Sequence, residues 1–131
     1  MIGLDTNVLV RFIMDDDALQ SPKARRLIES LTADRPGFVS LITIIELYWV
    51  LSSAYSLSRA QVAQAFDALL RSKELMVEQA ESVAKAARTF GAGNADFAGC
   101  LIASLCARAG CEATMTFDKG AAKAAGMTLI K

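Results

Sequence analysis

The first ten residues, Met1-Ile2-Gly3-Leu4-Asp5-Thr6-Asn7-Val8-Leu9-Val10, constrain the fold more than any other stretch. A short apolar run reaches a carboxylate at Asp5 and passes at once into a helical pattern, Val8, Leu9, Phe12 and Ile13. This predicts an N-terminal strand with an acid at its end. In an open parallel sheet, ligands bind outside the carboxyl ends of the strands, which is where Asp5 falls. Asp is also a favoured N-cap, so Asp5 has a plain structural reading as the start of a helix. The pattern recurs at Asp118, between a predicted strand from Ala113 to Phe117 and a short helix from Gly120 to Ala125. Asp96 stands at another predicted helix start, after Gly91-Ala92-Gly93-Asn94. Cap and site ligand stand side by side as readings of all three.

The rest of the chain alternates in the same way. Helices are predicted over Thr6 to Met14, from Ser21-Pro22 to about Leu31, over Leu41 to Ala54, after Ser58, over Ala80 to Phe90, and over Asp96 to Arg108. Ser21 before Pro22 reads as an N-cap followed by proline at the first helical position. Short apolar runs at Phe38 to Ser40, Leu75 to Val77 and Met127 to Ile130 read as strands. Such alternation implies an α/β fold, with a parallel central sheet of about four to five short strands flanked by helices. With 131 residues, 53% of them hydrophobic, the expectation is one domain over 1–131 with a sizeable core. The helix from Asp96 is apolar nearly all round, through Phe97, Leu101, Ile102, Leu105 and Cys106, which predicts burial on most sides.

Charge and residue usage exclude several function classes. Lys and Arg balance Asp and Glu at 14 each, so no global basic field exists to bind a polyanion. A local patch or metal ions would have to do that. Local cationic candidates are Arg11, Lys23, Arg25, Arg26 and Lys119, each with an ordinary solvated reading beside it. The chain has no His, which removes the usual general base at neutral pH and the Ser-His and Cys-His nucleophile pairs. Cys100, Cys106 and Cys111 are too few for a Cys-only zinc site and read as small reduced hydrophobes. No secretory leader is evident, and the apolar run from Phe38 to Tyr55 is broken by Glu46. A cytoplasmic, membrane-free protein is expected.

Glu46 is the most diagnostic acid. It lies within Leu41-Ile42-Thr43-Ile44-Ile45-Glu46-Leu47-Tyr48-Trp49-Val50-Leu51, and its helical neighbours Ile42, Thr43, Trp49 and Val50 include no cation. This predicts a buried carboxylate, which must be paired, protonated or metal-bound. A capping box between Thr43 and Glu46 is the alternative, but a helix start at Ser40 or Leu41 suits the apolar run better. Four acids, Asp5, Glu46, Asp96 and Asp118, brought to one place would repel, and a divalent cation resolves that repulsion. Oxygen-only ligation suits Mg²⁺ or Mn²⁺. One such ion activates water and a second stabilises a leaving oxygen, chemistry that suits phosphodiester hydrolysis without histidine.

Four motifs, in this order and spacing, cover essentially the whole chain. They are Gly3-Leu4-Asp5-Thr6-Asn7-Val8-Leu9; Ser40 with Thr43 and Glu46-Leu47; Asn94-Ala95-Asp96-Phe97-Ala98 with Leu101-Ile102-Ala103; and Thr116-Phe117-Asp118. On them the chain resembles a PIN-domain ribonuclease, most closely a VapC-type toxin of a toxin–antitoxin pair. The resemblance implies a Mg²⁺- or Mn²⁺-dependent endoribonuclease, inhibition by a cognate antitoxin protein, and a homodimer. It also implies Asp5, Glu46 and Asp96 as core metal-binding catalytic acids, Asp118 as the fourth, and Thr6, Asn7 and Thr116 as polar supports. Apolar residues on the first two helices, Leu9, Phe12, Ile13, Leu27 and Leu31, are the expected antitoxin seat. In one departure, Gly99 stands where many relatives carry a further acid. That departure keeps a rival open, a binding module of the same fold with weak or no catalysis. A phosphoacceptor domain would leave Glu46 unexplained, and a haloacid-dehalogenase site would need an acid where Asn7 stands.

Overall fold

The computed structural model describes residues 1–131 and consists of five short strands alternating with seven α-helices. The order is β1 (Ile2–Gly3), α1 (Thr6–Met14), α2 (Gln20–Glu29), β2 (Gly37–Val39), α3 (Leu41–Trp49), α4 (Arg59–Arg71), β3 (Leu75–Val77), α5 (Ala80–Ala92), α6 (Phe97–Arg108), β4 (Met115–Thr116), α7 (Lys119–Ala124) and β5 (Thr128–Leu129). A π-helical segment, Val50–Ala54, continues α3. All pairings are parallel, as the strand–helix alternation requires. They form a three-stranded sheet in the order β1-β2-β3 and a separate pair β4-β5. The sheet is therefore split in two, and β4 is a two-residue strand within the longer apolar run from Ala113 to Phe117.

Local chemistry explains the boundaries. Ser40, extended at the end of β2, accepts the Thr43 N–H and starts α3. Ser58 and Gln61 form a reciprocal capping box at α4. At α2 the helix starts earlier than the Ser21-Pro22 signal implies. Asp17 Oδ1 accepts the N–H groups of Leu19 and Gln20, at 3.0 and 2.7 Å, and takes the capping role. Those bonds, Gln20 first, hold the Asp17 carboxyl below its usual range. Ser21 is instead buried and donates to the Arg11 carbonyl. At Gly37 a Cβ would lie 2.7 Å from Leu4 Cδ1 and 2.9 Å from Leu31 Cδ1, so a larger residue there requires those leucine side-chain ends to shift.

The core runs from Leu4 to Leu101 and centres on Phe97. Its ring stacks on Phe66 at 4.9 Å and on Tyr48 at 5.1 Å, and meets Phe90 edge-on at 5.8 Å. Two expectations change here. Leu9 and Leu31 are core residues rather than a partner surface, because α1 and α2 pack their apolar stripes inward. Helix α6 is not enclosed all round: Ile102 is exposed and only Phe97, Cys100, Leu101 and Ser104 are buried. Likewise only Cys100 behaves as a buried thiol, while Cys111 is exposed. No helix is long and apolar enough to cross a membrane.

Candidate functional site

The predicted acids lie at element ends, and three of the four cap helices. Asp5 follows β1 and its Oδ1 accepts the Thr6 N–H at 2.8 Å. Asp96 precedes α6 and its Oδ2 accepts the Gly99 N–H at 3.1 Å. Asp118 precedes α7 and its Oδ1 accepts from Gly120 at 2.8 Å and Ala121 at 3.4 Å. The capping reading is thus correct for all three, and it does not exclude the other. Each cap uses one carboxylate oxygen and leaves the second without a protein partner.

Glu46 is held differently. Its Oε1 accepts the Thr6 hydroxyl at 2.8 Å, which ties the β1–α1 turn to the middle of α3. Thr6 itself is buried, while Glu46 is exposed. The expectation of a buried Glu46 is therefore corrected. Ser40, not Thr43, caps α3, so the Thr43–Glu46 capping box does not form. Thr43, Ile44 and Leu47 face the core, and Ile42, Glu46 and Trp49 form the outward stripe.

The acids fall into two pairs. Asp5 and Glu46 share Thr6. Asp96 and Asp118 line one open cleft of about 710 Å³, together with Asn94, Gly99, Thr116, Lys123 and Met127. Thr116 also fixes Asp118, since its Oγ1 accepts the Asp118 N–H at 3.0 Å. No three Asp, Glu or Cys side chains converge closely enough to chelate one ion. Hydrated Mg²⁺ is commonly held by one or two carboxylates, so each pair remains a competent donor set for a hard divalent cation. The ion pairs of the chain, Arg11–Asp17, Arg25–Asp15, Arg71–Asp67 and Arg108–Glu81, use none of the four acids. Asn7 points elsewhere, into a groove between α1 and α2 with Val8, Arg11, Gln20, Lys23 and Leu27.

One positioning residue escaped sequence reasoning. The Arg59 guanidinium, at the start of α4, donates to the carbonyls of Phe90, Asn94 and Ala95 at 3.1, 3.2 and 2.6 Å. It also stacks over the Phe90 ring at 4.5 Å. This one side chain therefore fastens the loop that delivers Asp96. The residues it holds are more than thirty positions away, and no local pattern announces such a contact. Behind Asp96, burial pushes the Cys100 thiol up from its usual range, and the Asp96 charge adds to the effect.

The family model described as the PIN domain matches residues 2–127. No curated protein and no solved structure gives a significant match. PIN domains are generally nucleases, and such nucleases usually use divalent metals. The match spans both carboxylate pairs and every strand but the last, and on it the chain belongs to the PIN domain family.

Proposed function

We propose that this chain is a Mg²⁺- or Mn²⁺-dependent endoribonuclease and the toxin of a toxin–antitoxin pair. The observation that carries this reading is the state of its four acids. Asp5, Glu46, Asp96 and Asp118 are all exposed, none is neutralised by Lys or Arg, and each Asp keeps one oxygen free while the other fixes its orientation. Asp5 with Glu46, and Asp96 with Asp118, are the residues that would hold the metal. Bound there, a divalent ion supplies Lewis acidity toward a phosphodiester oxygen and lowers the pKa of water. Thr6 holds Glu46, Thr116 holds Asp118, and Arg59 holds the Asp96 loop. Lys123, beside Asp118 in the cleft, offers a cation to an RNA phosphate. Asp5→Asn, Glu46→Gln and Asp96→Asn are each expected to cut metal-dependent RNA cleavage by on the order of 10²–10³. Asn can still accept the capping N–H, so the two Asp variants stay folded. A folded Asp96→Asn that cleaves as well as the wild type defeats the reading.

The toxin reading includes partners. The α1–α2 groove, about 260 Å³, keeps Leu27 exposed beside Lys23 and Arg11 and suits an extended antitoxin segment. Ile42 and Trp49, 75% and 55% exposed and seven residues apart on α3, supply an apolar surface for a homodimer. Native co-expression with the adjacent gene is expected to yield a complex in which Leu27→Asp abolishes co-purification. Recovery of only free chain, without protection of growth, counts against the partner. The rival reading, a binding module of this fold with weak or no catalysis, draws on the separation of the acids into two pairs. Metal titration followed by an RNA cleavage assay separates the two.

A further inference from the structure

The chain has no net charge, yet the groove between α5 and α6 is basic. Its volume is about 460 Å³, within the range of small-molecule sites. Lys85 and Arg88 line it from α5 and Arg108 from the last turn of α6. Glu81 is the acid present, and it pairs with Arg108 and so fixes that guanidinium at the groove. Glu81, Lys85 and Arg88 are spaced at four and three residues, one face of a helix. Lys85 and Arg88 are exposed and enter no ion pair.

The floor of the groove carries an independent signal. Ser82 lines it at 3% exposure, and its Oγ is the chain's buried side-chain polar atom without a hydrogen-bond partner. Ser104, also buried, lines the groove from α6. Buried hydroxyls are normally satisfied, and an orphan under a cluster of cations is a donor in want of an anionic acceptor. The acid cleft is lined by a different set of residues.

We infer that the α5–α6 groove is a phosphate-ester site, with Lys85 and Arg88 as charged partners and Ser82 as the hydroxyl donor. Two sources share this chemistry, a backbone phosphate of RNA and a free nucleotide. Only the first rests on the ribonuclease reading. The full chain without divalent metal, so that nothing is cleaved, is titrated with a labelled single-stranded RNA at several salt concentrations. AMP is titrated in parallel by calorimetry. The variants are Lys85→Ala/Arg88→Ala and Ser82→Ala, neither of which touches the acids.

If the groove holds RNA, the double variant flattens the slope of log K against log salt by about 1.4, close to 0.7 for each of two lost phosphate contacts. Ser82→Ala then weakens RNA binding at every salt concentration while its thermal midpoint does not fall. If the groove holds a free nucleotide, AMP saturates the wild type and both variants lose it. Folded variants that bind RNA and AMP like the wild type overturn the site, as does a wild type that binds neither. A wild type that binds in these assays but never cleaves RNA with metal sinks the ribonuclease reading and leaves the groove standing.

Discussion

At the scale of single residues, a capping aspartate and a metal-binding aspartate can be the same side chain. A carboxylate has two oxygens, and at Asp5, Asp96 and Asp118 one of them satisfies a helix N-terminus, where a negative charge is also favoured by the helix dipole. The helix thus orients a charge whose second oxygen has no protein partner. Position 99 shows how close this geometry comes to one more ligand. A Cβ built on Gly99 lies 3.8 Å from Asp96 Oδ2 and 3.8 Å from Met127 Cε, ordinary contact distances, so a side chain can start there without a clash at its Cβ. Gly99→Asp is expected to leave metal-free stability nearly unchanged, because the helix-propensity and first-turn charge gains are offset by repulsion from Asp96. It is also expected to lower the metal concentration for half-maximal RNA cleavage. An equal or higher metal requirement in the folded variant shows that residue 99 is not a vacant ligand position. The places of Asp5, Asp96 and Asp118 at helix starts were legible from the sequence. The exposure of Glu46 was not, because its outward stripe is completed by Ile42 and Trp49, apolar residues that imitate a buried face.

At the scale of elements, α6 matters because its first turn presents Asp96, and two unrelated devices set its position. Phe97 anchors the turn from inside, buried among Phe66, Tyr48 and Phe90. Arg59 fastens the preceding loop from outside through three carbonyls. A planar fork that spans several acceptors has no equivalent in Lys, which offers a single point charge. Arg59→Lys is therefore expected to raise the metal concentration needed for cleavage by roughly tenfold, as is typical when a ligand's support is removed. High Mn²⁺ should restore the rate. Unchanged metal dependence in a folded Arg59→Lys excludes the positioning role. The helices themselves were legible because caps and stripes are local: α1 spans Thr6–Met14 and α4 starts after Ser58, both as predicted. The errors had two origins, a competing local cap at α2 and missing core contacts at β4. Asp17 displaced Ser21 as the start of α2, and the run from Ala113 to Phe117 gave only two residues of strand because Met115 and Phe117 have little core to cover.

At the scale of the whole molecule, the two acid pairs rest on supports of unequal strength. Every buried residue lies at or before Ser104, so β4, α7 and β5 contain none. Asp5, Glu46 and Asp96 are carried by elements packed on the main core, whereas Asp118 sits on the small β4–α7–β5 unit. Segments with few buried apolar contacts open at low free-energy cost. Amides of Ala122, Thr128 and Ile130 are therefore expected to exchange with solvent well before those of Leu4, Gly37 and Glu78, although all are hydrogen-bonded to backbone carbonyls. An ion shared by Asp96 and Asp118 would span the cleft between this unit and the core. Mg²⁺ is the probe, followed by hydrogen exchange with mass spectrometry. Saturating Mg²⁺ should slow exchange in residues 113–130 and leave the three-stranded sheet unchanged, because a ligand that binds only the closed state stabilises it by mass action. Asp118→Asn should remove that protection while α7 keeps its cap. Equal exchange in the two regions without metal, or Mg²⁺ protection that survives Asp118→Asn, would show that the C-terminal unit is not the movable half of the site.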